Sequence, residues 1–262
     1  VITSPANQHV KRIRSLAADR QERRRAQMLV LEGVRLVADA LESGAALTLV
    51  LYAPEQLHLT PAGADLLPQI RRLPFSYEAT PQVIAAAADT VHPQGVVALA
   101  RWPRIPPGKP GLVLVIDAVQ DPGNLGTLLR SAEAVEVAQV LCSVGTVDVY
   151  APKVVRSAMG AHFRLAIEQD MSWDDIGERL APVDHIYAAD PNARMPYYAA
   201  DWRQPSALLV GNEAHGLSDA ARRLATREIT IPMRGRAESL NVAAAASVIL
   251  FEALRQRALG RS

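Results

Sequence analysis

From residue 112 to the end of the chain, short apolar runs alternate with stretches of helical spacing, and this alternation constrains the fold more than any other feature. Residues 112–116, 137–142, 163–167, 186–189, 207–210 and 228–231 read as strands, and 124–135, 153–159, 173–180, 218–224 and 240–259 as helices. The run 112–116 is apolar throughout, as expected of a strand covered on both faces. Strands alternating with helices predict an α/β fold built on a parallel sheet with helices on both sides.

Upstream, residues 101–110 hold four prolines without a usable period, which predicts a semi-rigid linker. Before it, a helix over 4–25, strands over 27–31, 47–52 and 95–100, and helices over 34–41, 66–70 and 81–88 make a small α/β unit. The expected division is therefore 1–100, linker 101–110, and 111–262.

With 49% hydrophobic and 21% charged residues, the chain has ample material for a core. It contains no apolar run of the roughly 18 residues a membrane span needs and no apolar signal core, so the expected setting is the cytoplasm. A single cysteine, Cys142, excludes an intrachain disulfide and reads as a buried strand residue. The six histidines lack metal-ligand spacing, and no metal is expected.

Residues 1–110 hold 13 Lys and Arg against 9 Asp and Glu, a charge of +4, whereas the remainder carries −3. Lys11, Arg12, Arg14, Arg23, Arg24 and Arg25 crowd one short stretch. They suit either a phosphate-binding surface or a solvated helix face.

Ligands of open parallel sheets bind beyond the carboxyl ends of the strands, and three loops there carry polar groups. The first contains Asp121-Pro122-Gly123-Asn124-Leu125-Gly126, with Asn124 placed to cap the next helix. Arg130 follows six residues on, expected toward the same end and face as the loop. In an otherwise apolar helix it needs a phosphate, a carboxylate or an ion-pair partner. The second loop, Gly211-Asn212-Glu213-Ala214-His215-Gly216-Leu217-Ser218, has Leu217 where a phosphate-binding P-loop needs lysine. His215 reads as a loop residue. The third runs from Ile231-Pro232-Met233 through Ser239-Leu240-Asn241 into a helix that opens with small residues.

These residues resemble the SpoU (TrmH) family of RNA 2′-O-ribose methyltransferases, within the SPOUT superfamily. Asn124-x-Gly126-x-x-x-Arg130 is similar to the first family motif. Gly211-Asn212-Glu213-x-x-Gly216 is similar to the second, and Ile231-Pro232-Met233 with Ser239-Leu240-Asn241-Val242 to the third. Asp148, Tyr150, Lys153, Arg156 and Gly160 also match between motifs. Glu32-Gly33-Val34-Arg35-Leu36-Val37 and Gln94-Gly95-Val96-Val97-Ala98 look like the family's ribosomal-protein-like, RNA substrate-binding domain. Glu136 stands where many members have glycine.

The resemblance implies a deep trefoil knot in the C-terminal domain, a homodimer through that domain, and S-adenosylmethionine as methyl donor to a ribose 2′-hydroxyl. Ribosomal RNA is preferred over tRNA as substrate; a catalytically silent RNA-binding member is the other alternative. The family's roles fall on Gly211, Ile231 and Leu240, with Leu209 and Met233, for the cofactor. Arg130 would be catalytic, supported by Asn124, Glu213, Ser239 and Asn241. In a protein that grips RNA, the cluster from Lys11 to Arg25 becomes a phosphate-binding surface.

Overall fold

The structure, a computed structural model, describes residues 1–108, 111–236 and 239–259. Lys109 and Pro110 of the expected linker, and Ala237 and Glu238 of the third loop, lie outside the described residues. The chain forms two compact units, Val1–Arg104 with Tyr150–Phe163, and Ile105–Val149 with Arg164–Ser262.

In the first unit, α1 (Gln8–Ala18), α2 (Arg20–Ala26), β1 (Met28–Glu32), α3 (Val34–Glu42), β2 (Leu47–Tyr52), α4 (Pro54–Leu57), α5 (Pro61–Arg71), β3 (Ser76–Glu78), α6 (Pro81–Ala87) and β4 (Val96–Arg101) follow in order. The sheet order is β1-β4-β2-β3, with β4 antiparallel to both neighbours and β3 parallel to β2. Val10, Ile13 and Leu16 of α1 pack with Val83 and Ile84 of α6 on Val30, Leu51 and Val97 of the sheet. The expected helix over 4–25 is two helices. Asp19 breaks it, since its carboxylate accepts from the N–H groups of Gln21 (2.7 Å) and Glu22 (3.2 Å) and so caps α2.

The remaining elements are β5 (Leu112–Ile116), α7 (Pro122–Ala134), β6 (Gln139–Ser143), α8 (Pro152–Ala158), β7 (Ile167–Met171), α9 (Trp173–Leu180), β8 (His185–Ala189), β9 (Met195–Pro196), β10 (Ser206–Val210), α10 (Asp219–Leu224), β11 (Arg227–Thr230) and α11 (Val242–Leu259). The second unit's sheet has the order β7-β6-β5-β10-β8-β11-β9, and every pairing is parallel. On one face Val115, Ala188 and Leu209 pack against Ile176 and Leu180 of α9 and Ala221 of α10. The alternate residues Leu114, Ile116, Leu208 and Val210 are buried as well, so the sheet is covered on both sides. The expected strand over 163–167 lies later, at β7, because residues 161–163 make a 3-10 turn.

Helix α8, which falls between two strands of the second unit in sequence, packs against β1 of the first. Tyr150 stacks on Trp102, ring centroids 4.2 Å apart. The first unit is thus assembled from two separate stretches of chain. Helix α7 ends at Ala134, and Glu136 beyond it takes a left-handed φ of 55°, the conformation glycine adopts at least cost.

Candidate active site

Strands β8, β10 and β11 end side by side, and a cavity of about 540 Å³ opens beyond their carboxyl ends. Its walls come from Asp190 and Asn192 after β8, Gly211 to Gly216 after β10, and Ile231, Met233, Ser239, Leu240 and Asn241 after β11. Val242, Ala245 and Ile249 of α11 close it. The second and third loops predicted from sequence therefore meet here.

The first loop joins them through Asn124. Its Nδ2 donates to Glu213 Oε1 at 2.9 Å, and its Oδ1 accepts from Asn241 Nδ2 at 2.8 Å. Glu213 also accepts from the backbone N–H groups of Gln120 and Asp121, each at 3.2 Å. Burial alone would push the Glu213 carboxyl up; these bonds, led by Asn124, outweigh it and hold the group below its ordinary range. Asn241 Oδ1 in turn accepts from Ala243 N (3.0 Å) and Ala244 N (3.2 Å), capping α11. One amide side chain ties all three loops.

Asn124 is not the helix cap expected of it. Asp121 takes that place, accepting from Asn124 N at 2.8 Å, and Pro122 occupies the first helical position. This frees the Asn124 side chain for Glu213 and Asn241. Asn212 closes the second loop, donating to Ala118 O at 2.8 Å and accepting from Ala214 N at 2.9 Å. Gly211 is required for a reason inside the loop. A Cβ there would stand 2.3 Å from the backbone carbon of Gly216, too close for any side chain.

Arg130 is exposed, makes no hydrogen bond or ion pair with a described residue, and does not line the cavity. Six residues at about 100° each turn it roughly 120° around the helix from Asn124, so it does not share that residue's face. Leu209, expected against the cofactor, is fully buried in the core beside α9 and α10; its neighbour Val210 lines the cavity, because successive strand residues face opposite ways. Ser239 and Leu240 are exposed at the rim.

Asp190 and Arg222 were not singled out from sequence, although Asp190 follows a strand end, where the strand-end rule could have found it. Burial raises the Asp190 carboxyl, but the Asn192 N–H and the Arg222 guanidinium bring it below the ordinary range. Cys142 is fully buried, its thiol pushed up to about 12 by burial, which leaves it unreactive near neutrality.

The basic stretch divides. Arg23 is buried and donates to the carbonyls of Leu16 (2.6 Å) and Ala17 (2.8 Å), closing the end of α1, so it is not available to RNA. Arg12 and Arg25 pair with Glu22 at 3.2 and 2.7 Å. Lys11, Arg14 and Arg24 are exposed.

A parallel sheet whose strand ends carry a ligand-sized cavity, framed by three hydrogen-bonded polar loops, defines an α/β enzyme that binds a small-molecule cofactor. Comparison with known proteins identifies which. Residues 111–251 match the SpoU rRNA Methylase family, and residues 7–98 match the MRM3-like substrate binding domain. The chain is 33% identical to a 23S rRNA (guanosine(2553)-2′-O)-methyltransferase of Bacillus subtilis, covering 95% of this chain and 97% of that one. It is also 33% identical to a 23S rRNA (uridine(2479)-2′-O)-methyltransferase of Streptomyces viridochromogenes, covering 98% and 92%. The crystal structure of AviRb from Streptomyces viridochromogenes in complex with the cofactor AdoMet superposes with a TM-score of 0.84 at 32% identity, covering 96% and 98% of the two chains. The chain belongs to the SpoU rRNA methylase family. It is an RNA methyltransferase with an N-terminal substrate-binding domain.

Proposed function

We propose that this S-adenosylmethionine-dependent enzyme methylates a ribose 2′-hydroxyl of ribosomal RNA. The observation that carries the reading is the Glu213–Asn124–Asn241 chain, which ties the three motif loops at one cavity.

The cavity suits the cofactor. Ile231, Met233 and Leu240 offer an apolar wall for an adenosine, and Asp190, Asn192 and Thr230 a polar one for its hydroxyls and charged end. The bound cofactor supplies an activated methyl group, so the chain has to position the acceptor oxygen and exclude competing nucleophiles. Arg130 is the group we assign to the RNA. A guanidinium holds its proton far above neutrality and offers a fork of donors that matches phosphate oxygens. It would orient the ribose through the neighbouring phosphate. Glu213, Asn124 and Asn241 hold the loops around the cavity, and Ser239 is the further polar group we assign to its rim. On the first unit, Lys11 and Arg14 of α1 are the phosphate-binding groups we favour.

Two copies pairing through the second unit belong to the same reading. What supports pairing is an exposed apolar pair one helical turn apart on α11, Val248 and Phe251. The position of Arg130, exposed and outside the cavity, supports a site that a second copy completes. A deep trefoil knot in the second unit and a cytoplasmic setting complete the proposal.

Incubation of the protein with S-adenosylmethionine carrying a radioactive methyl group, and with ribosomal RNA from a strain lacking it, tests the assignment. Label at a single 2′-O position, missing from that strain and present in its parent, is the expected result. Ribosomal RNA that takes up no label, together with an unchanged methylation map, would refute it.

A further inference from the structure

The first unit holds a second cavity, of about 520 Å³, within the roughly 300–1,000 Å³ typical of small-ligand sites. Its frame is held by hydrogen bonds and an ion pair within the unit. Glu32, buried at the end of β1, accepts from the N–H groups of Asp89 (2.9 Å) and Thr90 (3.2 Å) and from the Thr90 hydroxyl. Gln94 Oε1 accepts from Val34 N at 3.0 Å and so ties the start of α3 to the same loop. Arg156 of α8 pairs with Asp89 at 2.8 Å and stands 3.6 Å from Glu32. The acidic groups are thereby neutralised from within.

What remains facing the opening is of a different kind. Arg35 is exposed and makes no hydrogen bond or ion pair with a described residue, and Thr90, His92 and Gln94 line the cavity with it. Leu36 and Met159 supply apolar wall, and Val91 is 88% exposed at the rim. A cavity with one apolar wall beside an uncommitted guanidinium suits a planar base carrying a phosphate. In a paired helix the base faces are stacked and closed, so the occupant has to be an unstacked nucleotide.

We propose that this cavity seats one unstacked nucleotide of the RNA substrate, its base against Leu36, Val91 and Met159 and its phosphate on Arg35. The inference rests on the reading of the chain as an RNA methyltransferase. The substrate-binding match over residues 7–98 contains every residue named here except Arg156 and Met159, which α8 and the residue after it bring to the unit.

The test uses the full chain, Arg35→Gln and Val91→Ser, both at exposed positions that leave the frame intact. Binding is read by fluorescence anisotropy with a labelled single-stranded RNA of randomised sequence, about 12 nucleotides long, and with a duplex of the same length. Val91→Ser is expected to weaken single-strand binding about fivefold, the worth of one small aliphatic side chain against a base, without changing the salt slope or duplex binding. Arg35→Gln is expected to lower the single-strand salt slope by about 0.7. Single-strand affinity unaltered in Val91→Ser overturns the proposal, as does a parent chain that does not bind the single strand. Nucleoside monophosphates that displace the RNA at micromolar concentration would make a free nucleotide the occupant, and that also overturns it. A calorimetric titration with S-adenosylmethionine on the same preparations separates the two readings. Intact cofactor binding with a failed RNA arm refutes the cavity alone, whereas lost cofactor binding in the parent chain refutes the enzyme assignment.

Discussion

Asn124 donates to Glu213 across 89 positions of sequence, at 2.9 Å, and that bond fixes which way the amide faces. A carboxylate only accepts, so Nδ2 turns to Glu213 and Oδ1 is left for Asn241. Asn124→Asp keeps the shape but replaces the donor with a second carboxylate. Methyl transfer is expected to fall at least about tenfold, the equivalent of one lost charge-assisted hydrogen bond. Adding Glu213→Gln restores a donor facing Asp and should recover much of the loss. A double mutant no better than Asn124→Asp would show that the bond does not couple the loops.

The same carboxylate gives a pH signature. Burial raises the Glu213 carboxyl, the bonds from Asn124 and the backbone lower it further than burial raises it, and its folded value lies below the unfolded one. Its contribution to stability is therefore complete above the ordinary carboxylate range and lost only as pH falls through the lowered folded value. The Tm gap between the parent chain and Glu213→Gln should hold constant from neutrality down to that range and close below it. A gap that closes near neutrality would contradict the bond pattern.

Arg130 should separate stability from function. Because its guanidinium is exposed and pairs with no described residue, Arg130→Ala should change stability by less than about 0.5 kcal/mol. Methyl transfer to RNA should fall by two orders of magnitude or more, with cofactor affinity unchanged. Undiminished turnover would remove Arg130 from the site. Arg130→Lys keeps the charge and loses the fork, and should restore only a minor part.

Within the basic stretch the expected outcomes are opposite. Arg23→Ala strips two carbonyls at the end of α1 of a charged donor and should destabilise the protein by about 1.5–3 kcal/mol. The pair Lys11→Ala and Arg14→Ala should leave Tm in place and reduce the salt slope of RNA binding by about one for each phosphate no longer neutralised. Denaturant melts and salt titrations of the two sets distinguish the roles. A full salt slope in the double variant would make α1 a solvated face.

Much of the second unit was legible because buried parallel strands are continuous apolar runs; β5 falls on the five residues its pattern predicts. The three loops were legible for the related reason that strand ends are where polar residues have work to do. Three features were not. Asp121 and Asn124 are both good caps, three residues apart, and only Pro122 at the first helical position decides between them. The helical period of α8 is visible, but which sheet it covers depends on tertiary packing, so the assignment of Tyr150–Phe163 to the first unit could not be read locally. Arg23 reads as one more surface charge until the carbonyls it closes are seen. Periodicity reports the faces of an element and is silent about its neighbours.

Gly211 offers the sharpest test of the second loop. Residues 211 to 216 close on themselves through paired backbone hydrogen bonds between Asn212 and Gly216, each 2.9 Å, and this brings the backbone of Gly216 over Gly211. A methyl group at 211 would meet the carbon and oxygen of Gly216 at 2.3 and 2.4 Å and the nitrogen of Leu217 at 2.4 Å. All three are backbone atoms, which no side-chain rotation can clear, so the loop itself has to move. Gly211→Ala should therefore cost about 1–3 kcal/mol of stability and displace Asn212 and Glu213 from their partners. Cofactor affinity, measured by calorimetry, should drop with it. Gly216→Ala meets no neighbour but has to hold a φ of 69°, a cost of about 1 kcal/mol, and should bind the cofactor better than Gly211→Ala. The reverse order would mean that the left-handed turn, and not the close backbone approach, sets the shape of this loop.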